Sequence, residues 1–357
     1  MRFVWRRAQF LLISLCWLVS CTVDAPLTDL FVVPGSALMH APDTPQPPMG
    51  LPPLADRLSS GAAAGLGRKL FFDRRLSVDS SVSCATCHVP IQGFTQYNIT
   101  TPIGRSGQPL QRNAPTLYNV GYRPHLLADG GAANLAEQIW GPLLNPQEMG
   151  NHSQDDLIGR LNQLTEYQLA FTQVFGTEVT QAALEQALRE FELTLASADS
   201  PFDRWYFEGD DTQMSAAAKR GFFTFMAADC EKCHQMQPGF AHFTDEGFHN
   251  TGVEGRSISP AGADAGRATA TGILTDTRAF RTPTLRNIAL TAPYMHNGTF
   301  ENLLPVVEYY NQGGSKDPLQ HELIRPLDLT ADERSDLVSF LTSLTGSNVA
   351  QLSRIKP

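Results

Sequence analysis

Several things that would have set the class of this chain are scarce in it. Six cysteines in 357 residues, two of them within the first 21, are too few and too unevenly placed for a disulfide scaffold. Beyond Arg2, Arg6 and Arg7 there is no cluster of Lys or Arg, and the formal net charge is −9, which argues against a nucleic-acid surface. Charged residues make up only 18%, yet a hydrophobic content of 42% excludes a disordered chain. Only the first segment is apolar enough to meet a membrane, which excludes a multi-span protein. Sustained period-two alternation is missing too, so no strand pattern competes with helical ones.

What is present begins at the N-terminus. Three arginines precede the apolar run Ala8 to Val19, a basic region and hydrophobic core too short to span a bilayer and suited to a secretory signal over residues 1–20. Leu18-Val19-Ser20-Cys21 resembles the lipobox of bacterial lipoproteins, so Cys21 is expected as a lipid-bearing first residue of a periplasmic protein. An ordinary signal peptide cut a few residues later is the alternative. Losing the three arginines takes the net charge from −9 to −12. Residues 21–57, with eight prolines, read as an extended tether or as an arm packed on the surface.

The remaining four cysteines carry the chemistry. Cys84-Ala85-Thr86-Cys87-His88 and Cys230-Glu231-Lys232-Cys233-His234 are both C-x-x-C-H. Two thiols at this spacing add across the vinyl groups of a haem, and the adjacent His supplies a nitrogen to its iron. A zinc site would use the pairs together, and a redox dithiol would not need a His after each pair. Two covalent haem c groups are therefore expected, with His88 and His234 as iron ligands. The motifs lie 146 residues apart, so each is expected in its own domain, 58–198 and 199–357, with the last helix able to pack back on the first.

Helical periodicity predicts helices over 58–72, 155–175, 180–195 and 215–227. The last helix starts at Thr330 with Glu333 three residues on, followed by Leu337, Phe340, Leu341 and Leu344 and ended by Gly346. The fold expected is all-α, two cytochrome-c-like haem domains with long loops.

The order of motifs resembles the bacterial di-haem cytochrome c peroxidase family, including its MauG-like branch, over about residues 58–346. It rests on Leu66 to Asp73, the two haem motifs, Arg112 to Thr116, Gly141-Pro142, Ser200 to Arg204, Arg281 to Asn287 and Thr291 to Gly298. The resemblance implies that Glu148 is the acid–base group of a peroxide pocket, Gln138 its hydrogen-bonding partner and Pro142 the distal proline. It implies that activation-dependent members carry a displaceable His on the loop after the first haem. Residues 89–124 contain no His and no Met, and the lone His125 reads as structural, so an open first haem is expected. The family's second-haem ligand, fourteen residues after His296, falls on Tyr310, as in MauG-type enzymes; Met295 or no ligand are the alternatives. The same resemblance implies a calcium ion held by Asn113 with the carbonyls of Thr291 and Pro293, and His296 near a haem propionate. One departure stands out: the family's inter-haem Trp is replaced by Ala128, leaving Trp140, Tyr122 or Tyr294 as substitutes.

Three functions compete on this basis. One is reduction of hydrogen peroxide with electrons from a small cytochrome c or cupredoxin. The second is MauG-type, peroxide-dependent oxidation of Trp or Tyr in a partner protein. The third is a non-enzymatic di-haem electron carrier, against which Gln138 and Glu148 argue. No nucleic acid is expected, membrane contact only through the lipid anchor, and a homodimer is left open.

Overall fold

The computed structural model describes residues 47–54, 60–253 and 264–357. The signal segment, Cys21 and most of the Pro-rich stretch lie outside these. The molecule is mostly helical: α1 Gly61–Phe72, α2 Cys84–Cys87, α3 Leu135–Leu144, α4 Gln154–Asn162, α5 Thr165–Phe175, α6 Gln181–Leu193, α7 Pro201–Glu208, α8 Ala216–Ala227, α9 Ala268–Thr271, α10 Leu303–Asn311, α11 Ala331–Thr342 and α12 Val349–Leu352. Among the described residues one two-stranded ladder occurs, β1 Phe248–His249 antiparallel to β2 Phe280–Arg281. No described helix is long and apolar enough to cross a membrane.

The helical stretch 155–175 is two helices, because the chain turns at Gln163 and Leu164 and α5 restarts without a side-chain cap. The last long helix forms as its Thr330/Glu333 capping box directs, but leaves helical geometry after Thr342. The described end of the Pro-rich stretch is docked. The Gly50 carbonyl accepts from Arg286 and from the Ala241 N–H, and Gly50 has φ +86° where a Cβ would overlap Asp203.

Two apolar clusters are built to one plan. In the first, Phe71 of α1 meets Phe191 of α6 at 5.0 Å and Phe94 at 6.2 Å. In the second, Phe225 of α8 meets Phe340 of α11 at 5.1 Å and Phe243 at 6.2 Å. Each helix pair crosses at a glycine: a Cβ on Gly67 would overlap the Ala187 carbonyl, and one on Gly221 the Asp336 carbonyl. Gly67→Ala and Gly221→Ala are each expected to lower stability by about 1–3 kcal/mol through overpacking, measured by denaturant unfolding of the holoprotein. The chain then returns: Leu352 is buried in the first cluster with Val349 and Ile355 packed beside it.

The two halves meet at a seam of main-chain bonds. The N–H of Asn113 donates to the carbonyl of His296 at 2.7 Å, and the N–H of Arg281 donates to the carbonyl of Ala128 at 2.8 Å. Residues 113 and 281, like 128 and 296, are 168 positions apart, so these bonds are copies of each other about a pseudo-twofold axis. The same offset relates the turns Val120–Tyr122 and Ile288–Leu290, the caps Asn134 and Asn302, and α3 and α10.

Candidate functional site

The first motif is an α-helical turn, Cys84–Cys87, and the second a 3-10 turn, Cys230–Lys232; in both the His N–H closes the turn by donating to the carbonyl of the first Cys at 2.9 Å. The Nδ1 of His88 lies 3.1 Å from the Phe94 carbonyl, and that of His234 lies 2.9 Å from the Phe243 carbonyl. A carbonyl only accepts, so Nδ1 holds the proton and Nε2 keeps its lone pair for a metal. Burial holds both imidazoles below their ordinary pKa, in the neutral form a ligand needs. Burial also pushes the thiols up, to about 12 for Cys84 and Cys230 and about 11 for Cys87 and Cys233. A redox dithiol needs the opposite shift. The chain leaves donors between the halves with no acceptor of its own, the buried Nε atoms of Arg123 and Arg281. Free thiol pairs, open Nε2 atoms and unclaimed guanidinium donors fit a haem with its vinyl and carboxylate groups.

Above the first motif, α3 carries Gln138 and Pro142 one turn apart on one face. Pro142 has no N–H, so it leaves the Gln138 carbonyl without its helical partner. The turn after α3 then folds back: Met149 N–H donates to the Pro142 carbonyl, and Glu148 and Gly150 N–H both donate to the Asn145 carbonyl. Buried Asn151 locks this turn, donating to the Leu76 and Leu143 carbonyls while accepting from Arg160. Glu148 is thereby set beside the first motif, where its charge acts on Cys84 and Cys87. Burial raises its carboxyl pKa, and the hydrogen bond from Asn145 Nδ2 at 2.7 Å partly opposes that rise. No hydrogen bond joins Gln138 to Glu148, whose side-chain partner is Asn145.

Around the second motif, Tyr310 of α10 sits where the thiols of Cys230 and Cys233 act on its hydroxyl, and burial is the main reason its phenol pKa is raised. The adjacent Tyr309 donates to the Thr251 carbonyl, and the Thr251 side chain is hydrogen-bonded to Tyr310, so both phenols meet at Thr251. Met295 lies in a left-handed turn, φ +72°, beside His296. The His296 ring stacks on Phe280 at 3.7 Å, and His125 packs against Phe248. Of the expected calcium donors, Asn113 gives its amide N–H to the Thr100 carbonyl, and the Thr291 hydroxyl donates to the Ile288 carbonyl.

The 168-residue offset puts Pro142 and Tyr310 at the same position of duplicated helices. It also pairs Ala128 with His296. The signal was in the sequence as Pro115-Thr116-Leu117-x-Asn119 and Pro283-Thr284-Leu285-x-Asn287. Sequence reading also missed Glu192, 7% exposed, whose Oε2 has no partner and whose carboxyl burial pushes up to about 8. It missed the Asp245–His249 pair, 2.8 Å apart, which lies with the Cys233 sulfur. That sulfur belongs to the second C-x-x-C-H motif, so the trio is not independent of it.

A chain with two such turns, each ending on a neutral imidazole, belongs to the class of covalent di-haem proteins. Residues 61–212 match the model of the di-haem cytochrome c peroxidase family. The chain is 36% identical over 336 residues to the methylamine utilization protein MauG of Methylorubrum extorquens, covering 93% of this chain and 89% of that protein. It is 37% identical to the cytochrome c551 peroxidase of Pseudomonas aeruginosa, covering 79% of this chain and 78% of that one. Among solved structures, a MauG-like protein associated with microbial copper homeostasis superposes with a TM-score of 0.72 at 32% identity, covering 86% of this chain and 96% of that one. The di-haem peroxidase BthA of Burkholderia thailandensis gives 0.71 at 26%, covering 85% and 96%. The chain belongs to the di-haem cytochrome c peroxidase family, and it is an oxidoreductase with two c-type haems.

Proposed function

We propose that this is a periplasmic peroxidase, lipid-anchored through Cys21, that reduces hydrogen peroxide at an open haem in a domain of residues 58–198. Electrons come through the haem of a second cytochrome-c-like domain, residues 199–357, from a small cytochrome c or cupredoxin. The observation that carries this reading is the shared register of Pro142 and Tyr310: one pocket has at that position a side chain with no donor atom, the other a phenol. The haem, when bound, supplies an iron centre at which peroxide binds and takes up two electrons.

The chain supplies the proton traffic. Glu148 takes the proton from the near peroxide oxygen and returns it to the far one, so that one peroxide, two electrons and two protons yield two waters. The Asn145 amide fixes the carboxylate that does this. Gln138 offers its amide to the bound oxygen, and Pro142 keeps the distal position free of any protein donor. Asn113, with the carbonyls of Thr291 and Pro293, would hold a calcium ion on this reading, and His296 would serve a haem propionate.

A second reading, oxidation of aromatic residues of a partner protein, is favoured by two observations: Tyr310 in the second pocket and the lack of His or Met over 89–124. Both readings need the first haem open at rest. EPR and visible spectra of the ferric protein, before and after one equivalent of peroxide, test that. A high-spin signal beside a low-spin one, consumed without prior reduction, is expected; two low-spin signals inert until half-reduction would overturn it. Turnover with a reduced cytochrome or cupredoxin separates the two functions.

A further inference from the structure

The halves touch across the seam at two places that are copies of one contact. Gly93 and His242 each directly precede the phenylalanine whose carbonyl faces the haem-motif imidazole of its own half. Leu290 and Tyr122 each end the equivalent helical turn of the other half. In one copy Gly93 abuts Leu290, so closely that a Cβ there would stand 3.0 Å from the Leu290 carbonyl. In the other, His242 meets Tyr122 edge to face, ring centroids 4.9 Å apart at 80°. One backbone contact thus carries a bare glycine and an aliphatic chain in one copy, and two π systems in the other.

The ring pair connects directly to both iron ligands. On one side, His242 is peptide-bonded to Phe243, whose carbonyl lies 2.9 Å from His234 Nδ1. On the other, Tyr122 is bonded to Arg123, whose guanidinium donates to the Thr116 carbonyl at 3.0 Å, and the neighbouring Pro115 carbonyl faces His88. His242 Nε2 is buried and has no hydrogen-bond partner, and the ring's other aromatic neighbour, Phe240, lies farther off at 6.0 Å. The competing aromatic contacts serve less well. Phe280 and His296 stack tightly, but both belong to the second half. His125 and Phe248 do cross the seam, at a wider 6.1 Å.

We propose that the Tyr122–His242 contact is the path by which an electron crosses from the second haem site to the first, with the two rings as its medium. One electron leaves the second site and one arrives at the first; neither ring gains or loses an electron or a proton. This rests on the functional reading above, in which electrons reach peroxide through the second haem.

The test is pulse radiolysis of the holoprotein, delivering one electron to the second haem and following its arrival at the first by optical absorption. Tyr122→Leu, which rebuilds the aliphatic copy of the contact, and His242→Ala, which breaks it from the other half, are each expected to slow transfer by about tenfold or more. Tyr122→Phe keeps the ring and is expected to stay within about twofold of the unaltered protein. His125→Ala is expected to do the same. Spectra and midpoint potentials of both haems are measured alongside, so that a misassembled variant is recognised and the other half's variant decides. Leu and Ala variants that transfer as fast as the unaltered protein would overturn the path, and a Phe variant as slow as the Leu variant would overturn the role of the ring. Absence of transfer in the unaltered protein would overturn the functional reading and the path with it; an unchanged rate in both Tyr122→Leu and His242→Ala overturns the path alone.

Discussion

Replacing Glu148 by Gln is expected to cut peroxide turnover by about 10²–10⁴-fold while both haems stay attached and their ferric spectra stay unchanged. Gln keeps the shape and the hydrogen bond from Asn145 but cannot carry a proton from one oxygen to the other. The pH dependence gives a sharper readout. Burial raises the Glu148 carboxyl above its ordinary value, so the unprotonated base is lost at a higher pH than for an exposed Glu as the solution is acidified. The acid limb of kcat/KM for peroxide therefore lies above the usual carboxylate range. Glu148→Gln should abolish that limb. Asn145→Ala should move it to still higher pH, because the hydrogen bond at 2.7 Å is what holds the pKa down. An acid limb that persists in the Gln variant would assign the proton transfer to another group.

The second large effect is expected at Tyr310. A phenolate is a hard anionic donor that favours the oxidised metal, whereas a thioether favours the reduced one. Tyr310→Met is expected to raise the midpoint potential of the second haem by about 0.1–0.3 V, well inside the roughly 0.8 V over which axial ligands move haem potentials. The first haem should shift little. Tyr310→Phe leaves the position without a donor and should turn the second haem's low-spin EPR signal high-spin. A low-spin signal that survives in the Phe variant would mean that Met295 or another group holds that iron.

What could be read in the sequence followed from how local its physical cause is. Cys84, Cys87 and His88 were legible because covalent attachment and ligation demand that spacing within one helical turn. The start of α11 was legible because a Thr and a Glu three residues apart satisfy each other's backbone donors wherever they occur. The break between α4 and α5 was not, since neither Pro nor Gly marks Gln163 and Leu164; tertiary packing of Leu161 and Tyr167 sets it. Glu148 was placed by resemblance, but Asn151, which fixes its turn, was not, because its partners come from Leu76, Leu143 and Arg160. The duplication was written in Pro115-Thr116-Leu117 and Pro283-Thr284-Leu285, yet Tyr118 and Arg286 have diverged so far that only the paired backbone geometry makes it plain.

The seam has a consequence for how such a protein changes over time. Its registering bonds, from Asn113 to His296 and from Arg281 to Ala128, join amide to carbonyl and involve no side chain. Side-chain substitutions at those four positions that keep an N–H on residues 113 and 281 leave the pairing groups themselves in place. The separation between the two cofactor sites is thus insulated from mutation, while the material filling the gap is open to it. A lineage can exchange a Trp for an Ala, or a Leu for a Tyr, and change how well the gap conducts with the distance held constant. Reach is inherited from the backbone, and conductivity is left to selection.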